Sequence, residues 1–113
     1  MLRYKFPQTA RIRKRANYQH VNRFGQERAG RLLCVRLLPA QDQRLGLVVS
    51  RRFGDAVRRN RLKRLVREAY RLQTTEWPPC HVVVIPRTLA KEASLQDIKD
   101  ELRHLVRNTI YRK

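Results

Sequence analysis

Apolar and polar residues alternate along this chain with two periods. From Leu32 to Leu38 the period is two, with Leu33, Val35 and Leu37 on one side and Leu32, Cys34, Arg36 and Leu38 on the other, and Pro39 ends the run. After the polar turn Gln41-Asp42-Gln43, Leu45 to Ser50 reads as an antiparallel partner strand. Leu45, Leu47 and Val49 supply its core side, and Gly46, Val48 and Ser50 a thinner one. A third strand, His81 to Ile85, is short and apolar throughout, set between the stiff turn Trp77-Pro78-Pro79 and Pro86.

Elsewhere the period is helical. A short helix capped by Asn17 carries Tyr18, Val21 and Phe24 along one side and stops at Gly25. A second begins near Asp55 or Ala56, entered through Gly54, with Leu62, Leu65, Val66, Ala69 and Leu72 on one stripe. The last starts at Ser94, where Asp97 three residues on makes a capping box, and buries Leu95, Ile98, Leu102, Leu105, Val106 and Ile110. The predicted order is helix, strand, strand, helix, strand, helix: an α+β fold, a small mixed sheet with helices packed on it.

Charge changes the meaning of the second helix. Arg59, Lys63, Arg67 and Arg71 follow one another at four-residue steps away from the apolar stripe, with Asn60 and Arg64 beside them. Like charges four apart each cost a helix a few tenths of a kcal/mol, and Glu68 is the only acid among them. Such a row makes sense if an external anion balances it. Arginine predominates, and its planar fork suits phosphate oxygens and base edges.

The whole chain points the same way. Its 113 residues suit one domain, residues 1–113, with residues 1–15 as a basic arm and 55–72 as the basic helix. A share of 42% apolar residues argues against a disordered tail, and 27 Lys and Arg against 9 Asp and Glu leave a net charge of +18. Repulsion on that scale suits a nucleic-acid partner. No run is long enough for a membrane span and no apolar segment of signal-peptide type opens the chain, so a cytoplasmic location and no membrane partner are expected.

The remaining chemistry is sparse. Cys34 and Cys80 have no C-x-x-C spacing, and two buried or half-buried thiols is a simpler reading than a zinc site built from them with His20 and His81. No carboxylate pair, Ser/His/Asp set or glycine-rich phosphate loop is present, so no catalytic residue and no metal ligand is assigned. The chain is expected to act by binding.

The run Leu45-Gly46-Leu47-Val48-Val49-Ser50-Arg51-Arg52, followed by Gly54, Ala56-Val57, Arg59-Asn60-Arg61, Lys63-Arg64 and Arg67-Glu68, resembles the signature of the bacterial ribonuclease P protein subunit. The likeness extends to Arg11-Ile12-Arg13-Lys14 before Tyr18, to Val82-Val83-Val84-Ile85 followed by Arg87, and to the closing helix. Asn22 departs from it where an aromatic is common, Asp55 where Asn is usual, Phe53 where an aliphatic is usual, and His81 where an acid is common.

The resemblance implies a fold like the second domain of ribosomal protein S5, with a left-handed β-α-β crossover where general rules favour the right hand. It implies a protein cofactor of a ribozyme whose RNA subunit, with magnesium, removes the 5′ leader of precursor tRNA. Arg51, Arg52, Arg59, Asn60, Arg61, Lys63, Arg64 and Arg67 would meet the RNA subunit. Arg11, Tyr18, Val21 and Arg36 would line a cleft for the leader. The RNA subunit and precursor tRNA are the partners implied, and no protein partner is evident. A ribosomal-protein-like RNA-binding module without a part in cleavage is the alternative that charge and fold class allow equally.

Overall fold

A computed structural model of the chain describes residues 11–12 and 14–110, so the first ten residues of the basic arm lie outside the described part. Four strands and three helices follow in the order α1 (Arg15–Phe24), β1 (Gln26–Ala29), β2 (Leu33–Pro39), β3 (Arg44–Leu47), α2 (Ala56–Arg71), β4 (Cys80–Pro86) and α3 (Leu95–Ile110). The sheet order is β1-β2-β4-β3. β2 runs antiparallel to β1 and β4, and β3 runs parallel to β4.

That order corrects the hairpin expected of β2 and β3. The short polar turn at Gln41–Gln43 suggests direct pairing, but β4 sits between them, aligning Leu37 with Val82 on one side and Leu45 with Val82 on the other. The reason lies in β4 itself. Val82, Val83 and Val84 are all fully buried, so this strand needs cover on both faces and takes a central place. The shorter β3 is left to flank it, and the segment before α1 closes on β3 through an Arg11–Leu45 bridge and an Ile12 amide bonded to the Leu45 carbonyl at 2.9 Å.

β1 is the strand that the apolar pattern does not show. Gln-Glu-Arg-Ala has no alternation, and the strand is mostly exposed. It exists because β2 offers it a ladder from Gln26–Leu37 to Ala29–Cys34. Its charged, short character is what an edge tolerates.

Two apolar layers hold the sheet. On one face Leu33, Val35, Leu37, Leu45, Val82 and Val84 meet Leu62, Val66, Ala69 and Tyr70 of α2 and Ile98, Leu102, Leu105 and Val106 of α3. Tyr70 also meets Trp77 edge-on, ring centres 5.8 Å apart. On the other face Val83 packs with Ile12 and Val21, joined by the partly buried Tyr18, Leu38 and Ile85, so α1 covers part of that side.

The helix ends refine the expectations. α2 is capped by Asp55, whose carboxylate accepts the Arg58 amide at 2.9 Å, and α3 by the reciprocal Ser94–Asp97 bonds at 3.1 Å. α1 begins two residues before the expected cap, and Asn17 lies inside its first turn, its amide bonded to the Lys14 carbonyl. The docking of Ile12 on β3 fixes the chain there, and helix follows at once. Gly25 ends α1 by close approach and not by a left-handed turn: its φ is −76°, and a Cβ there would lie 2.5 Å from the Val21 carbonyl oxygen and 3.1 Å from that of Leu37.

Two apolar residues leave their expected stripes. Phe24 is 58% exposed, against His20 at 5.0 Å, and Leu72 is 45% exposed past the end of α2. At the far end of the sheet, the Glu101 carboxylate accepts the amides of Arg31, Leu32 and Leu33 at 3.1, 2.7 and 2.5 Å, pinning the β1–β2 turn to α3.

Leu102→Ala should therefore lower unfolding free energy by about 2–5 kcal/mol, while Leu72→Ala should stay within about 0.5 kcal/mol. Urea titrations of both variants check this. Equal losses would mean that Leu72 belongs to the core after all.

Candidate nucleic-acid interface

The basic surface is built from the turn before α2 and from α2. Ser50 leads into a single 3-10 turn, Arg51–Phe53, in which Phe53 is buried and both arginines are exposed. The buried ring fixes the turn, and the turn holds Arg51 and Arg52 outward beside the start of the helix. Along α2, Asn60, Arg61 and Arg64 are exposed, whereas Arg59, Lys63 and Arg67 are half-buried. The row at four-residue steps thus lies on a shoulder of the helix instead of its crest. Asn60 and Arg64 occupy the outermost line.

The two flanks of α2 face different neighbours. Arg67 stands near Arg11 and Tyr18; partial burial, and then the Arg11 charge, push its guanidinium below its ordinary pKa, with Tyr18 acting the other way. It remains charged at neutral pH, since an arginine starts so high. On the other flank Arg61 donates to the Ala93 carbonyl at 3.0 Å and to that of Lys91 at 3.4 Å. Arg61 therefore ties α2 to the segment that leads into α3. Arg71 departs from the expected row more completely, because Glu68 pairs with its guanidinium.

Among the described residues, no ion pair joins an acid to Arg51, Arg52, Arg58, Arg59, Arg61, Lys63, Arg64 or Arg67. Acids gather elsewhere: Glu92, Asp97, Asp100 and Glu101 share a groove beside α3 with Arg31, Arg103 and Arg107. That groove carries both signs and has no net pull on an anion. On the α2 surface the two acids are committed within the helix, Asp55 to its cap and Glu68 to Arg71, and the remaining charges are all positive.

A second candidate surface lies on the α1 side of the sheet. Tyr18 is half-buried, and its hydroxyl accepts the Leu47 amide at 3.2 Å. Arg36 is also half-buried and held in place: it donates to the Asn22 carbonyl at 3.1 Å and lies 3.5 Å from a Glu27 oxygen. Glu27 further accepts the Cys34 thiol at 3.2 Å, and burial, followed by that bond, pushes the Cys34 pKa up. Cys80 is buried and its thiol is pushed up to about 11, so neither thiol is ionised at neutral pH.

Val21 corrects the expectation made of it. It is fully buried against Val83 and Ile12, so it supports the cleft from beneath and offers no surface to a ligand. Arg11, Tyr18 and Arg36 all lie on or beside this side of the sheet, with Arg11 also near Arg67. Glu27 and the Asn22 carbonyl, which aim Arg36, are not legible in the sequence, because β1 carries no apolar alternation to announce it.

Comparison with known proteins finds relatives of both the chain and its fold. A family model described as Ribonuclease P matches residues 6–110. A ribonuclease P protein component of Shouchella clausii is 40% identical over 101 residues, covering 86% of this chain and 83% of the relative. That of Clostridioides difficile is 33% identical over 108 residues, covering 92% and 95%. Among solved structures, a Staphylococcus aureus RNase P protein mutant with defective mRNA degradation activity superposes with a TM-score of 0.82 at 30% identity, over 88% of this chain and 87% of that one. The RNase P protein of Thermotoga maritima gives 0.79 at 30% identity, over 87% and 96%. With the matched region spanning almost the whole chain, and with the fold in common, the chain belongs to the ribonuclease P protein family.

Proposed function

We propose that the chain serves as the protein cofactor of ribonuclease P, holding a catalytic RNA through α2 and the 5′ leader of precursor tRNA through the cleft beside α1. The observation that carries this reading is the cationic surface from Arg51 to Arg67, whose one acid, Asp55, caps α2 and forms no ion pair with any of its cations. Arg51, Arg52, Arg59, Asn60, Lys63, Arg64 and Arg67 would contact the RNA subunit. Arg61 would add its charge from a position already anchored to the Lys91 and Ala93 carbonyls.

Tyr18 supplies a partly exposed ring for a leader base, an interaction worth about 1–3 kcal/mol. Arg36 and Arg11 supply charge for the strand's phosphates. Arg67, near both Arg11 and Tyr18, would sit where the two surfaces meet.

The chemistry of leader removal would belong to the RNA subunit, with magnesium bound by the RNA. Among the described residues, no three His, Cys, Asp or Glu side chains gather where they could hold a metal ion. The protein's part is positioning and charge neutralisation. Two polyanions must approach each other, and a chain of +18 reduces their repulsion. Among the described residues no helix is long and apolar enough to cross a membrane.

Removing one cation that neutralises a phosphate should lower the slope of log affinity against log salt by about one. Arg59→Ala, Lys63→Ala, Arg64→Ala and Arg67→Ala are expected to do so in binding to the RNA subunit. Arg61→Ala is expected to lower the melting temperature as well, because it frees two carbonyls. Filter binding across a salt series, with melting curves alongside, measures both. Unchanged slopes in the first four variants would turn this surface away from the RNA.

In processing of precursor tRNA, the RNA subunit alone should cleave slowly at high magnesium, and adding the chain should rescue cleavage at low magnesium. Gel assays of leader release with each component omitted test this. Specific leader removal by RNA-free protein, abolished by one substitution in this chain, would place the chemistry on the protein. A magnesium requirement unaltered by the chain would favour an RNA-binding module outside the reaction.

A further inference from the structure

Gly46 lies on β3 at the position facing α1, paired across the sheet with Val83, which is itself buried on that side. Its neighbours Leu45 and Leu47 turn towards the main core. The missing side chain leaves a slot, and the Tyr18 ring fills it. A Cβ at Gly46 would stand 2.7 Å from Tyr18 Cε1, 3.1 Å from Cζ and 3.2 Å from Ile12 Cδ1. Beyond the slot the Tyr18 hydroxyl accepts the Leu47 amide at 3.2 Å, taking up an outward-facing donor of the sheet. The ring is therefore seated at two points, its carbon edge on bare backbone and its oxygen on the next residue's N–H.

We propose that Gly46 is a positioning residue for leader recognition, setting how deeply Tyr18 sits in the cleft and so where a leader base can stack. The inference rests on the reading of Tyr18 as a leader-binding residue. The glycine is needed for closeness alone, because its φ is not in the left-handed region and an alanine backbone could adopt the same conformation. An added methyl would drive the half-exposed ring outward and draw the hydroxyl off the Leu47 amide. The ring can leave towards solvent, so the sheet and the main core need not move. Leu45, the neighbouring residue, belongs to the main core and not to the cluster that the ring packs against. The cost falls on the cleft.

The test measures affinity of the reconstituted holoenzyme for precursor tRNA with a leader and for leaderless tRNA, using the full chain as wild type, Gly46→Ala, Tyr18→Ala and the double variant. Melting curves and RNA-subunit affinity are taken for each. Tyr18→Ala should cut the leader-dependent part of the affinity by about 5- to 150-fold, the range of one stacked base. Gly46→Ala should lose a large share of the same factor while RNA-subunit affinity stays at the wild-type value. In the Tyr18→Ala background it should lose little more, since the other close neighbour, Ile12 Cδ1, is a side-chain end that can move into the space the ring leaves.

A normal leader contribution in Gly46→Ala, with Tyr18→Ala weakened, overturns this inference and leaves the cleft reading standing. An equal loss from Gly46→Ala with and without Tyr18 also overturns it. A normal contribution in Tyr18→Ala overturns both. If Gly46→Ala does not fold, Tyr18→Phe keeps the ring and removes the acceptor for the Leu47 amide. A leader contribution unchanged in that variant overturns the two-point seat.

Discussion

The constraint on which the rest of this structure depends is that β4 is apolar on both faces. Val82 and Val84 must be covered on one side and Val83 on the other. Exposing three buried valines would cost several kcal/mol at about 25 cal/mol per Å². That requirement puts β4 between β2 and β3, calls α2 and α3 to one face, and calls α1 and Ile12 to the other. The parallel connection from β3 to β4 then has to cross the sheet, and the crossing element is α2, the most cationic helix in the chain.

The position of α2 follows from packing, and its use follows from position. Leu62, Val66, Ala69 and Tyr70 fix one side of the helix in the core. The charged residues are left with a crest and two shoulders. One shoulder borders Arg11 and Tyr18, and the other is tied by Arg61 to the entrance of α3. A mobile cationic tail would have to be ordered when it meets RNA, losing conformational entropy at that moment. Here the core has already done the ordering.

Much of this is legible in the sequence, and the exceptions have physical causes. The stripes of α2 and α3 and the alternation of β2 are strong signals because each element buries one face only. The Asp55 and Ser94–Asp97 caps follow from local chemistry. The pairing of β3 misleads because nearness in sequence favours a hairpin, and only the two-sided burial of β4 overrides it. β1 is invisible because an edge strand held by its neighbour's ladder needs no apolar residues. The basic surface is legible as composition, but not its relief: the half-burial of Arg59, Lys63 and Arg67, the Glu68–Arg71 pair and the turn of Arg61 towards Ala93 depend on how the folded chain arranges its neighbours. Val21 misleads for the same reason, since its periodicity says that it faces the sheet but not how completely the sheet covers it.

The grip of Glu101 on the β1–β2 turn has a consequence for how the protein is made. Its carboxylate reaches residues about seventy positions earlier, and Arg87 adds a bond from its guanidinium to the Gly30 carbonyl at 2.8 Å. A ribosome delivers the chain from its amino end at roughly 5–20 residues per second. Until residue 80 it delivers a sheet without its middle strand, and until residue 101 a turn without its anion. The nascent chain therefore has only α2 to shelter Leu33, Val35, Leu37 and Leu45 until residues 80–106 emerge, when the central strand and the final helix can complete the cover in one late step.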